Sequence, residues 1–307
     1  WIAAVCRTVP RGSEVGMEAC AGPHHWARRL SEHGYQVKLI PPQFVIPYVK
    51  SNKNDANDAE AICEAMSRPN MRFVKVKTVE QQDIQAIHRV RSELMSQRTA
   101  KINQIRGLVA EYGLVAPKQA ESLRKALPRW LEDAENGLTP RFRHLLHGLS
   151  QDLGYLYDRI ARLDQEIKEI ANGDPMAVRL QQLRGVGPLV ATALMAAVGD
   201  GRQFAKGRQM AAAIGLTPRQ FSSGGKDKLL GISKRGDAYL RTILIHGARA
   251  ADYKAKMRDD RLSTWVTDLA KRRHVNVAAV ALANKTVRIA WAMMRNNVDY
   301  DPEYSVA

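Results

Sequence analysis

At 307 residues, 45% of them hydrophobic and 25% charged, the chain is long enough for two or three cored domains and too apolar for intrinsic disorder. Lys and Arg number 47 against 31 Asp and Glu, and the net charge of +16 draws polyanions and favours a nucleic-acid backbone through counterion release. Cys6, Cys20 and Cys63 form no CxxC pair and no His/Cys ligand spacing, which excludes a disulfide framework and a structural zinc site and fits a reducing cytoplasm.

The chain opens at Trp1 with no Met and no secretory pattern, and is read as missing its beginning. Between Glu14 and Thr78 short apolar runs alternate with helical ones. Val15-Gly16-Met17, Val37-Lys38-Leu39-Ile40 and Phe73-Val74-Lys75-Val76 read as strands, and Gly22-Pro23 opens a helix because Pro suits the first helical position. This is an α/β pattern with parallel strands, short of the strands a full sheet needs.

Glu18 closes the first strand, where carboxylates of α/β sites commonly project. Asp55 and Asp58, three apart at a helix start, share a face. At about 4 Å two such charges repel by roughly 4 kcal/mol at an effective dielectric near 20, a cost that a divalent cation removes. Oxygen ligands select Mg²⁺ or Mn²⁺. The plainer reading is that both aspartates complement the positive helix N-terminus. His24 and His25 read as surface groups.

A helix from Val79 to about Tyr112 carries Ile84, Ile87, Val90, Leu94, Ile102, Ile105 and Val109 on one side. Leu149, Leu153, Leu156, Ile160, Leu163, Ile167 and Ile170 form an a/d seam over about three heptads. The two helices are expected to pair, within one chain or between chains, as a stiffening hairpin, a dimerisation arm or a strut. Pro117, Pro128, Gly137 and Pro140 punctuate shorter helices between them.

Beyond Gly173-Asp174-Pro175 everything reads as helical. Gly185-Val186-Gly187-Pro188 is a glycine hairpin, either a phosphate-holding turn or a packing corner. Ser222-Ser223-Gly224-Gly225-Lys226 offers a hydroxyl in a cationic run with Lys228, Lys234, Arg235 and Arg241; it is a clamp for backbone phosphate or a nucleophile helped by the carboxylate site. Val275 to Met294 is interrupted by Asn284, Lys285 and Arg288 and reads as a buried amphipathic helix, so no membrane is expected.

Met17-Glu18-Ala19-Cys20-Ala21-Gly22, Ser51-Asn52-Lys53-Asn54-Asp55-Ala56-Asn57-Asp58-Ala59, Gly215-Leu216-Thr217-Pro218-Arg219-Gln220 with Ser222 to Lys226, and Gly231-Ile232-Ser233-Lys234-Arg235-Gly236-Asp237 stand in order. Together, across about Glu14 to Met294, they resemble the DEDD-type insertion-sequence transposases, in the branch guided by a structured bridge RNA. The resemblance implies an incomplete RuvC-like, RNase H-fold domain (1–78), a helical linker and coiled coil (79–172), and a helical transposase domain (173–307). It implies Glu18, Asp55 and Asp58 as the second, third and fourth acids, binding Mg²⁺ (or Mn²⁺). Ser223, which directly precedes glycine, would be the nucleophile that forms a transient phosphoserine link to DNA. Gly185, Gly187, Lys226, Lys228, Lys234, Arg235 and Arg241 would hold nucleic acid. The implied partners are the DNA of element ends and target, a guide RNA and further copies of the chain, in a bacterial cytoplasm at the nucleoid. The family's first Asp has no counterpart, since Trp1 to Ser13 holds no acid. A RuvC-like junction nuclease using activated water, and a non-catalytic nucleic-acid binder, are the rival expectations.

Overall fold

A computed structural model describes residues 1–50, 54–116, 118–255, 257 and 260–302; Ser51, Asn52, Lys53 and Pro117, named above, lie outside them. The described chain is mostly helical with two small sheets. It forms two compact units: Trp1–Gln82 with Val198–Ala205, and Asp83–Ala197 with Lys206–Ala307.

The first unit runs α1 (Ile2–Thr8), β1 (Glu14–Glu18), α2 (Pro23–Glu32), β2 (Gln36–Ile40), α3 (Pro42–Val45) and α4 (Asp55–Met66). β1 and β2 pair in parallel, from Glu14 against Gln36 to Glu18 against Ile40. Between them α2 starts where the backbone turns left-handed at Gly22, with Pro23 at its first position, and it buries Pro23, Ala27 and Leu30, one helical stripe. Ile40, Val45, Ala61 and Ala65 form a core with Ile62 and Met66 packed against it. α4 crosses β1 closely because Gly16 has no side chain: a Cβ there would stand 2.0 Å from Met66 Sδ and 2.8 Å from Ile62 Cγ2.

Phe73 to Val76, expected as a strand, is not one. It touches β2 at a single antiparallel bridge, Leu39 to Val74, where the Val74 N–H donates to the Leu39 carbonyl at 2.7 Å. After Val74 the chain is drawn to side-chain partners instead of a ladder: the Lys75 N–H points at Gln203 Oε1 (3.4 Å) and its ammonium pairs with Asp200 at 2.8 Å. Of the described residues in this unit, only β1 and β2 make a sheet.

Next come α5 (Val79–Ala110), α6 (Ala120–Glu132) and α7 (Pro140–Gly173). α7 begins well before the expected seam because Thr139 caps it, its hydroxyl accepting from the Phe142 N–H at 3.2 Å. Pro128 lies inside α6, where burial of Leu123 and Leu127 outweighs the lost backbone bond. α5 and α7 run antiparallel against each other within one chain. Leu94 meets Leu156 and Ile160, while Ile102, Ile105 and Val109 meet Leu146, Leu149 and Leu153. Arg91 to Asp164 and Lys101 to Asp152 tie the flanks.

The remainder is α8 (Pro175–Leu180), α9 (Pro188–Val198), α10 (Gly207–Ala213), β3 (Pro218–Gln220), β4 (Leu229–Ile232), α11 (Ala238–Ala255), α12 (Arg261–Arg272) and α13 (Val275–Asn296). α13 packs against α10, α11 and α12 and buries Ala279, Leu282, Ala283, Val287, Ala290 and Met293. It is long and apolar enough to span a bilayer by composition, yet half of its most apolar stretch is buried inside the protein, as a core helix requires. The expectation of helix alone beyond residue 173 is corrected by β3 and β4, which form an antiparallel hairpin around the Ser-Ser-Gly-Gly-Lys segment. Its strands, three and four residues long, are too short to show a strand periodicity.

Candidate active site and nucleic-acid interface

Glu18 ends β1, half-buried beside Ile40. Asn54 caps α4, its side-chain oxygen accepting from the Asn57 N–H at 2.8 Å, and so starts the helix with Asp55 and Asp58 in its first turn. Asp55 is exposed and Asp58 half-buried. Asp58, Ile62 and Met66 recur every four residues, so Asp58 extends the α4 face that lies on Gly16 of β1. The carboxylates of Glu18, Asp55 and Asp58 make no ion pair among the described residues, and no three His, Cys, Asp or Glu there gather as a metal cluster. His25 is exposed, as expected; His24 is half-buried, its Nδ1 accepting from the Lys77 N–H at 3.2 Å.

In the second unit the hairpin closes on Gly224 (φ +57°) and Gly225 (φ +75°), a two-residue turn with both central residues left-handed, the geometry that matches strand twist and that glycine adopts without strain. The Lys226 N–H donates to the Ser223 carbonyl at 3.1 Å, and the Phe221 N–H to the Lys228 carbonyl at 2.9 Å. Opposed residues share a face, so Phe221, Ser223, Lys226 and Lys228 lie on one side. Gln220, Ser222 and Asp227 lie on the other. There Gln220 Nε2 donates to Ser222 Oγ (3.0 Å) and Asp227 Oδ1 (3.2 Å), and Ser222 Oγ also accepts from the Lys228 N–H at 3.3 Å. The two serines are thereby distinguished. Ser222 is engaged beside an acid, whereas the Ser223 hydroxyl, exposed and without a hydrogen bond among the described residues, shares its face with two lysines.

Lys234 and Arg235 follow at the hairpin base with exposed side chains. Their backbone is held firmly: Lys234 (φ +55°) donates its N–H to the Gly215 carbonyl, and a Cβ on Gly215 would stand 2.2 Å from the Arg235 carbonyl oxygen. Arg241 is a brace instead of a free cation, its Nη1 donating to the carbonyls of Ile214 (3.0 Å) and Arg235 (3.1 Å). Gly185 (φ +76°) meets Gly247 of α11 backbone to backbone and is a packing corner, while Gly187 is exposed with open space around it. Beside that corner Arg184 pairs with Asp260, the cap of α12, whose carboxyl is held down to about 2 by hydrogen bonds from Ser263 and Arg184 that outweigh its partial burial.

One constellation was not foreseen from the sequence. His88 of α5, 3% exposed, lies 2.9 Å from both Tyr239 Oη and Thr192 Oγ1. The Thr192 hydroxyl donates to the Pro188 carbonyl at 2.8 Å, so its oxygen accepts from His88 Nε2–H and the Tyr239 hydroxyl donates to Nδ1. Burial, with Arg91 adding to it, pushes the imidazole down to about 4, and burial raises the Tyr239 phenol. His88 and Tyr239 line a cavity of about 380 Å³ with Arg89, Glu93 and Asp237. Partners 104 and 151 residues apart leave no local motif to find.

Two family models match the chain: a DEDD transposase model of IS110 elements over residues 2–114, and one described as "Transposase IS116/IS110/IS902 family" over 177–261. The "Probable family 20 transposase" of Pseudomonas aeruginosa is 50% identical over 289 residues, 94% of this chain and 86% of that protein. The chain belongs to the IS110/IS116 transposase family. The "Transposase for insertion sequence element IS1111A" of Coxiella burnetii is 49% identical over 93% of this chain and 79% of its own length. That of element IS1328 from Yersinia enterocolitica is 44% identical over 91% and 83%. The transposase thus carries both domain signatures of its family, the first spanning Glu18, Asp55 and Asp58 and the second spanning Ser223 and its cations.

Proposed function

We propose that this transposase excises and inserts a mobile DNA element by serine attack on DNA phosphodiesters. The observation that carries the reading is the hairpin: Ser223 stands next to a left-handed Gly-Gly turn, with Lys226 and Lys228 on the same face and Ser222 occupied on the opposite one. Ser223 Oγ attacks phosphorus, a phosphoserine ester forms, one P–O bond of the DNA breaks, and the serine proton goes to the departing deoxyribose oxygen. Rejoining is the reverse with a different hydroxyl, so bond energy is kept through the exchange. The lysine ammonium groups offset charge on the crowded phosphate.

Glu18, Asp55 and Asp58 would hold Mg²⁺ (or Mn²⁺). Their chemistry fits: all donors are oxygens, and none is committed to a cation of the described protein. Mg²⁺ keeps waters and is commonly bound by one or two carboxylates plus substrate phosphate, so a complete protein cage is not needed. When bound, the ion supplies charge neutralisation at the phosphodiester. A structured guide RNA and assembly of several copies across two DNA sites complete the reading, carried by the family resemblance.

The test is a denaturing-gel search for a protein–DNA adduct, using element-end DNA with Mg²⁺. Wild type and Ser222→Ala should form it, and Ser223→Ala should not. Metal-dependent cutting that survives Ser223→Ala without an adduct would make the protein a nuclease, and salt-sensitive binding without cutting would make it a binder only.

A further inference from the structure

We propose that Phe221 is a stacking platform for one unpaired base of the DNA strand that Ser223 addresses. The inference rests on the reading of Ser223 above and adds a binding element beside it. Phe221 is 74% exposed, yet its backbone is fixed, since its N–H donates to the Lys228 carbonyl at 2.9 Å. Opposed pairing of 221 with 228 and of 223 with 226 puts its ring on the Ser223 face. Two residues apart along one strand face is a separation of ~6.6 Å.

A single exposed aromatic is ordinary on a protein surface. Its surroundings set this one apart. Lys226 and Lys228 share its face, and the nearest hairpin acid, Asp227, is held on the other side by Gln220. A ring set among cations is the arrangement by which proteins hold single strands, the cations following phosphates and the ring taking the π-face of any base. Within a duplex each base is already stacked on both sides. Phe221 can therefore engage only a base that has left the stack, which directs the hairpin to melted or single-stranded DNA next to the attacked phosphate.

The test uses the full chain with Ser223→Ala, so that only binding is read, and a dT-rich 20-mer carrying one 2-aminopurine, as a single strand, as a duplex, and as RNA of the same sequence. Fluorescence quenching on the DNA single strand is expected. Adding Phe221→Ala or Phe221→Leu should weaken it by roughly 5- to 100-fold, and Phe221→Tyr should restore it. The salt slope should stay as it was, because no charge is removed. Unchanged affinity with Phe221→Leu, an equal loss on duplex, or Phe221-dependent quenching confined to RNA would overturn the assignment. So would unchanged quenching with Phe221→Ala accompanied by a smaller sedimenting species, which would make Phe221, with exposed Leu230, a protein contact. Quenching needs no covalent step, so a failed adduct assay with intact Phe221-dependent quenching would reject the nucleophile and leave the platform standing.

Discussion

Gly185 and Gly247 touch backbone to backbone: a Cβ on Gly185 would stand 2.4 Å from the Gly247 carbonyl oxygen, and one on Gly247 would stand 2.0 Å from that of Gly185. The turn before α9 and the middle of α11 are thus joined without side chains, and Gly185 is also held at φ +76°. Neither partner can retreat as a flexible side chain would. Gly185→Ala and Gly247→Ala should each lower stability by about 1–3 kcal/mol or more, measured as the urea midpoint. Gly187→Ala, facing open space, should change it by less than about 0.5 kcal/mol.

His88 makes stability depend on pH. Its folded-state value of about 4 lies below the ordinary 6.5, so between these values the unfolded chain binds a proton that the native chain refuses. Its contribution is complete above about pH 6.5 and falls away as pH drops towards 4, by on the order of 3 kcal/mol. His88→Gln should cost stability at pH 7.5 but lose less between pH 7.5 and pH 5 than wild type does. Equal losses in both proteins, in urea melts at the two values, would assign the pH dependence elsewhere.

Two cations near the hairpin should separate cleanly. Lys226→Ala should weaken DNA binding across sequences and flatten the slope of log K against log salt by about 1, as expected for one phosphate contact. Arg241→Ala removes donors to the Ile214 and Arg235 carbonyls and should lower the thermal midpoint first. Titrations at several salt concentrations, paired with melts, decide between binding and bracing roles for each.

Asp55→Asn and Asp58→Asn should abolish Mg²⁺-dependent cleavage while leaving binding mostly intact. Both sit in the first turn of α4, so each change also removes a helix-dipole interaction of about 0.3–1 kcal/mol. A magnesium titration of cleavage separates the two effects, because loss of helix stability alone would leave the metal dependence of the remaining activity unchanged.

Several elements were legible because their cause is local. Pro23 after a left-handed Gly22, the apolar stripe of α5 and the a/d repeat of α7 each mark an element whose residues lie within a few positions of one another. The segment Phe73 to Val76 looked equally like a strand, but Gln203 and Asp200, far along the chain, draw Lys75 aside. The hairpin around Ser223 was missed for the opposite reason: its strands are short and exposed, and only their pairing defines them.

Residue order alone was enough to place the chain among the DEDD transposases and to nominate Glu18, Asp55, Asp58 and Ser223 as candidates, because a motif's identity and spacing are properties of neighbours in the chain. Tertiary structure decided which side of the hairpin Ser223 shares, that α5 is the partner of the α7 seam, that Arg241 donates to the Ile214 and Arg235 carbonyls, and that Gly185 meets Gly247 backbone to backbone. Each of those depends on what the distant chain brings within a few ångströms, and no local pattern encodes that distance.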